Sequence, residues 1–404
     1  MHVSLLTYAP GDTLETMWGH VALRVRDDRT GVDLVFDWGL IDGRGSLPLA
    51  ARFLAGKPTS HLSIQAYADM AREYGARSRR FREDRLWLDR RQRARLVRDL
   101  VWNAWPEHRV YEYDLLGRNC ATQVRDLLDA ALAGRIADRL RAIPSGGTWR
   151  DHIAATLRRW PLVDLGLDIV LSAEVDRPIS AWDELALPGA LREGLRTVLA
   201  SAEAGAPTGS LLGEADYGLP PAGHPPGGRL PVSLVASGVG ALAVIGLART
   251  TRAAPQRSRM RILGAGILAL GVVSALLGTL MAWAWIATPH TVLHHNASLW
   301  LFWPVDWVVA AFGLSLLIKG ESWPRGSRRA WWLRRLLQAH LVAAGVFVVL
   351  WVGGFLEQVV TPVIVGVVPV AALTFGAAWL AVAGVPAARP GLSPDPAGAM
   401  PAGA

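Results

Sequence analysis

A single cysteine, Cys120, stands among the 404 residues, so an intramolecular disulfide is excluded. In an oxidising compartment a lone thiol is a liability unless it is buried or used. The chain also lacks a serine nucleophile elbow, a Walker loop and a metal-ligand cluster, so no metal and no cofactor are expected. No internal repeat is visible. Met1–Pro10 has neither a basic n-region nor an apolar h-region. We therefore expect export of the front part to depend on a segment upstream, with the first apolar span as the alternative.

What the chain does have is five long apolar stretches: Leu230–Ala248, Ile262–Ile286, Ala297–Ile318, Leu336–Phe355 and Pro362–Gly384. Each can cross a hydrocarbon core of about 30 Å at 1.5 Å per residue. The loop after the first carries Arg249, Arg252, Arg257, Arg259 and Arg261 with no acid. The loop after the third carries Lys319, Arg325, Arg328, Arg329, Arg334 and Arg335 against Glu321. Thr288–Asn296 and Gln358–Thr361 contain no Lys or Arg. The positive-inside rule then puts both basic loops and the C-terminal tail in the cytoplasm, and residues before Arg229 outside. The net charge of +8 is accounted for by these two loops, leaving the rest slightly acidic. Basicity is a topology signal here, and a nucleic-acid partner is not expected. The arginine-dense stretch Arg72–Arg98 is interleaved with acids and reads as a solvated face, with attraction to anionic headgroups as the alternative.

The front 200 or so residues are ample for one domain with its own core. His20–Arg26 and Val32–Trp38 alternate apolar and polar around the turn formers Asp27–Gly31, which predicts a β-hairpin. Leu62–Ile64 and Leu86–Leu88 are shorter strand candidates. Asp89 with Gln92 predicts a capping box, and Asn119 an N-cap, each opening an amphipathic helix. Past Gly146 the chain reads as mainly helical, broken at Pro161, Pro178 and Pro188. We expect residues 1–204 to be an α+β periplasmic domain, 205–228 a Gly/Pro-rich linker, 229–385 an all-α transmembrane domain of five helices, and 386–404 a disordered cytoplasmic tail.

With Asn119 as N-cap, Cys120 takes the first helical position, where unpaired N–H groups and the helix dipole stabilise a thiolate. A small buried hydrophobe is the plainer reading of the same residue. A thiol nucleophile needs a base, and the base an orienting group. His20 begins the first alternating strand and Asp37 lies on the next, but spacing alone does not separate His20 from His61, His108 or His152.

The segments Trp18-Gly19-His20-Val21-Ala22-Leu23-Arg24-Val25, Phe36-Asp37-Trp38-Gly39, Phe53-Leu54-Ala55-Gly56 and Tyr111-Glu112-Tyr113-Asp114 leading to Asn119-Cys120-Ala121-Thr122 resemble the Lnb-type lipoprotein N-acyltransferase family. Asp176-Arg177-Pro178-Ile179, Leu187-Pro188 and the run Asn296, Trp300, Pro304 extend the likeness over nearly the whole chain. The resemblance implies a circularly permuted papain-like domain, with the His strand before the Cys helix. It also implies a likeness to lecithin:retinol acyltransferase, whose Asn-Cys pair is similar to Asn119-Cys120. Cys120 and His20 match the catalytic pair; Asp37 stands as orienting residue where the family has Asn, and Ser298 where a second Asn is usual. Asn119, Tyr113 and Trp18 are then expected at the substrate. The implied activity is transfer of a fatty acyl chain onto the N-terminal amine of a lipoprotein. The donor would be a membrane phospholipid or diacylglyceryl group, at the bacterial cytoplasmic (inner) membrane. A membrane-anchored thiol peptidase or amidase and a non-catalytic envelope binding module are the rivals.

In the membrane region His290, His294, His295 and Asn296 read as interfacial residues, since no acid or Cys accompanies the histidines. Asp306 and His340 fall inside apolar spans, where ionisable groups are costly and default to a functional role.

Overall fold

The computed structural model describes residues 1–11, 16–41, 52, 55–56, 58–76, 81–157, 160–213, 234–235, 237–240, 242, 256–321, 323, 327–372 and 375–376. Two compact units divide the chain: Met1–Trp160 with Glu174–Gly227 and Ala287–Thr291, and Pro161–Ala173 with Gly228–Ile286 and Val292–Ala404.

The first unit is built on a six-stranded antiparallel sheet of order β5-β1-β2-β3-β4-β6. Its strands are β1 His2–Tyr8, β2 His20–Asp27, β3 Val32–Ile41, β4 Thr59–Ala66, β5 Phe81–Arg85 and β6 Val110–Glu112. The expected hairpin is β2–β3, closed where Gly31 takes φ +74° and donates to Asp27 O at 2.9 Å. Alternation assigns the faces. Val3, Leu5, Val21, Leu23, Val25 and Phe36 pack on the main core, while Leu6, Tyr8, Ala22 and Val35 pack around Met70 of helix α1, Tyr67–Ala76.

Against the main face lie α2, Arg90–Ala104, and α3, Cys120–Ala131. The capping box Asp89–Gln92 starts α2 as its sequence requires, and Leu96 and Leu100 are buried. Val124, Leu128 and Ala131 of α3 have no exposed surface, each large apolar side chain contributing about 1.5–3 kcal/mol by burial. Helix α4, Arg135–Leu140, precedes a two-stranded sheet of β7, Pro144–Thr148, and β8, Pro178–Ser180. Between them run α5, Trp149–Leu157, and α6, Pro161–Val170, the latter counted with the second unit. Helices α7, Ala181–Glu184, and α8, Pro188–Thr197, follow. Arg192 of α8 reaches Asp84 of β5 through two bonds of 2.6 and 2.8 Å, with the carboxylate wholly buried.

Several expectations shift. The segment past Gly146 is mainly helical with breaks at the expected prolines, and the break at Pro178 is a short strand that pairs with β7. The strand near Leu86–Leu88 lies earlier, at Phe81–Arg85, and Leu86 makes only a bridge to Leu212. Leu211 and Leu212 are buried in the first unit's core, so residues up to 213 pack; the rest of the expected linker, 214–228, lies outside the described residues.

In the second unit, α9 is Gln256–Ala287, α10 Trp307–Lys319, α11 Arg328–Val352 and α12 Thr361–Gly366. Helices α9 and α11 are long and apolar enough to cross a membrane. The span expected over Ala297–Ile318 is instead bent by 57° between Thr291–Trp300 and Pro304–Lys319, and passes the same test only if both pieces count as one. Most of the expected first span, the later part of the fifth and the tail 386–404 lie outside the described residues.

Small residues set the contact between α9 and the bent pair. A Cβ on Gly278, Gly271 or Gly264 would come within 2.6 Å of Trp303 C, 2.6 Å of Ala310 N and 2.4 Å of Leu317 N. Backbones approach this closely only where side chains are absent. At the bend, buried Asp306 accepts from the Ser274 hydroxyl, from His340 Nε2 at 2.8 Å and from Trp303 N at 3.3 Å. Trp303 and Phe375 stack on the His340 ring at 4.1 and 4.7 Å. Asn296 Nδ2 and Gln358 Nε2 each donate at 2.9 Å to the carbonyls of Ile169 and Leu171, satisfying groups that the end of α6 leaves orphaned.

Candidate active site

His20 is held at the first position of β2 by the chain entering it. Gly19 adopts φ +76°, and a Cβ there would meet Tyr8 O at 2.7 Å, so the turn before the histidine admits only glycine without strain. Asp37 faces the same side of the sheet, because it pairs with Ala22, two residues after His20. Its Oδ1 lies 2.5 Å from His20 Nε2. The carboxylate is 5% exposed and the imidazole 18%, so the ion-stabilising bond is shielded from water.

Cys120 begins α3, as its N-cap implies. Asn119 Oδ1 accepts from Ala121 N at 2.8 Å and Thr122 N at 3.0 Å, while its Nδ2 donates to Leu115 O at 2.7 Å and Ala186 O at 2.9 Å. Thr122 Oγ1 returns the bond to Asn119 N at 2.8 Å. The asparagine therefore uses its whole side chain to fix where the helix starts, and it acts as a positioning residue for Cys120. Two of the helix's first N–H groups are consumed by this cap; that of Cys120 itself is not used by it.

Cys120 lies close enough to His20 to interact with the imidazole. With Nε2 on Asp37, Nδ1 is the nitrogen left for the thiol. The contact is made past Gly39, whose Cβ would stand 3.4 Å from Cys120 Cβ and 3.7 Å from His20 Cε1. Gly39 takes φ +97° at the irregularity where the β3–β4 register slips between Asp37 and Leu40. A bulge here bends the strand end and keeps the space between base and thiol clear.

Electrostatics follow from this arrangement. Burial disfavours a charged His20, but the Asp37 carboxylate and then the Cys120 thiolate outweigh it, holding the imidazole well above its ordinary range. Tyr113 is raised well above the usual phenol range by burial first and the charge of Cys120 second. Tyr111 is also raised, chiefly by burial, with Cys120 and Asp37 adding to the rise. Both phenols stay neutral donors beside the thiol.

The sequence-derived residues thus divide. His20, Asp37 and Cys120 come together, Asn119 supports them and Tyr113 feels the thiol's charge. Trp18 lies half-buried in the turn before β2, two residues from the base. His61, on β4, and His108 and His152 on other elements are not part of the Asp37–His20–Cys120 chain. Sequence reasoning missed Gly39 and Tyr111. The Trp-Gly pair after Asp37 was a signal for the first, and the Tyr111-Glu112-Tyr113-Asp114 motif for the second, though neither was given a role. Among the described residues no group of three His, Cys, Asp or Glu could hold a metal ion.

Residues 1–155 match the family model described as the Lnb N-terminal periplasmic domain. No curated protein and no solved structure matches the chain.

Proposed function

We propose, from the match of residues 1–155 to the model of the Lnb N-terminal periplasmic domain, that this membrane protein is a thiol acyltransferase acting on lipoproteins. The observation that carries the reading is the buried Asp37–His20–Cys120 chain at a helix start. Its order, with the His strand before the Cys helix, is what a permuted papain-like arrangement needs.

In the first half-reaction His20 Nδ1 takes the proton from Cys120 Sγ, and the thiolate adds to an ester carbonyl of a phospholipid or diacylglyceryl donor. The Cys120 N–H faces the oxyanion that forms. Collapse breaks the ester C–O bond, His20 returns its proton to the departing alkoxide, and a thioester remains on Cys120. In the second, the free α-amine of the lipoprotein N-terminus attacks the thioester and loses a proton to His20. The C–S bond breaks, the thiolate recovers its partner, and an amide leaves. Asp37 keeps Nε2 protonated and the ring in place throughout. Tyr113, close enough to feel the Cys120 charge, has a neutral hydroxyl to offer a substrate, and Trp18, two residues before His20, is the other expected contact. Apolar spans hold the enzyme in the membrane that contains both lipid substrates, converting a bulk encounter into a surface one.

The test is expression in a strain lacking its own lipoprotein N-acyltransferase, with lipoprotein N-termini read by mass spectrometry. Wild type should yield N-acylated lipoprotein and a hydroxylamine-labile acyl adduct on Cys120. Cys120→Ser and His20→Ala, at normal expression, should abolish the product, and the double change should be no worse than either. N-acylated lipoprotein from Cys120→Ser would overturn the thioester route. An intact dyad that cleaves peptide or amide bonds and carries no acyl adduct would mark a thiol peptidase.

A further inference from the structure

We propose that the end of α2 and the turn after it form a face that docks on a phospholipid bilayer bearing anionic headgroups. Val101, Trp102, Trp105 and Val110 are each more than 50% exposed. Beside them opens a groove of about 460 Å³ lined by Leu34, Phe36 and Ile64 of the sheet and by Val101, Ala104 and Trp105. A contiguous apolar surface of this kind, with two indoles at its rim, marks an interaction site, and tryptophan is the residue enriched where bilayer meets water. Trp102 is not a loose side chain. Its ring stacks on His108 at 3.5 Å, and His108 Nδ1 lies 2.9 Å from Trp102 O.

The helix also supplies charge. Arg91, Arg95 and Arg98 are exposed at spacings of four and three, and Trp102 follows four residues on, so one stripe runs from guanidinium groups to indole. Arg109 adds a further exposed cation, against Asp99 and Glu107. Anionic headgroups complement that balance, whereas a second copy of the same face would meet it with like charge.

This surface does not depend on the acyl-transfer reading, and its test uses a protein without the reactive thiol. Full-length Cys120→Ser, carrying Glu107→Cys as its one thiol, is labelled with an environment-sensitive fluorophore and placed in nanodiscs, one copy per disc. The lipid is phosphatidylcholine alone or mixed with phosphatidylglycerol, each with a headgroup-level quencher. The reference is Arg29→Cys in the same background, at the tip of the β2–β3 turn, where the side chain is 87% exposed. Quenching at position 107 should exceed the reference, should rise with phosphatidylglycerol and should weaken at high salt. Arg91→Glu with Arg95→Glu and Arg98→Glu should return it to the reference level. Quenching equal to the reference in both lipids would overturn the proposal. So would protection of the label from an aqueous quencher only when two copies share a disc, which would assign the face to a second copy.

Discussion

The Asp37–His20 bond decides how the site behaves with pH. His20 is raised despite its burial, so the imidazolium survives above the ordinary histidine value of about 6.5. The acylation half-reaction needs that proton for the departing alkoxide. Its kcat/KM should therefore fall on the alkaline side as pH passes the raised His20 value, not near 6.5. Asp37→Asn removes the carboxylate charge but keeps the shape, leaving burial to dominate. The alkaline limb should then move to lower pH, with a lower plateau rate; an unmoved limb would show that Asp37 does not govern the base. Linkage gives the matching stability sign. A histidine raised on folding contributes stability that is fully present below its unfolded value and is lost as pH rises through the folded one. The sequence exposed Cys120 through its N-cap and His20 through its strand. What it could not expose was the selection among four histidines, because that rests on which strand end meets the helix start.

Elements were legible where polar residues recur on one face. Helix α2 shows its period because Arg91 and Arg95 face water opposite apolar residues, and the β2–β3 hairpin because Arg24, Arg26, Asp33 and Asp37 alternate with apolar residues, although Arg24 and Asp37 are buried. Strand β1 does not, since every residue after His2 is buried and the alternation that identifies a strand is missing. The bend at 301–303 was hidden for a similar reason, as Leu301-Phe302-Trp303 continues an apolar run whether helical or not. What holds the bend is Asp306, which two residues of sequence context could not pair with His340 or Ser274 on other helices. Asp306→Ala would leave the Ser274 hydroxyl and His340 Nε2 without this acceptor, at about 1–3 kcal/mol each, while Trp303 N keeps its bond to Ser274 Oγ. The full-length protein in detergent should melt well below wild type, while Asp306→Asn, which retains an acceptor oxygen, should lose less. Equal melting of all three would mean that the bend is set by backbone packing alone.

The bend also governs the topology of the whole molecule. If the bent pair only dipped into the membrane, the chain would return to the side where Thr288–Asn296 lies, and Lys319–Arg335 would follow it there. Two observations oppose this. Lys319–Arg335 is strongly basic and Thr288–Asn296 has no Lys or Arg, so the two belong on opposite sides. The bent pair also runs back along α9 over its length. Trp303 lies against Gly278, Ala310 against Gly271 and Leu317 against Gly264, and Glu321 pairs with Arg257 at 3.1 Å. From Gly278 to Arg257 is about 32 Å along α9 at 1.5 Å per residue, which is the thickness of the hydrocarbon core. If α9 crosses, a chain that retraces that distance crosses back. Helix α10 alone, at about 20 Å, is too short to do so, and the segment ahead of the bend supplies the rest. A reporter fused after Asn296 should accordingly be active only outside the cytoplasm and one fused after Gly326 only inside it. Activity of both on one side would make the bent pair a re-entrant loop, remove one crossing from the five expected and move everything after it to the other face.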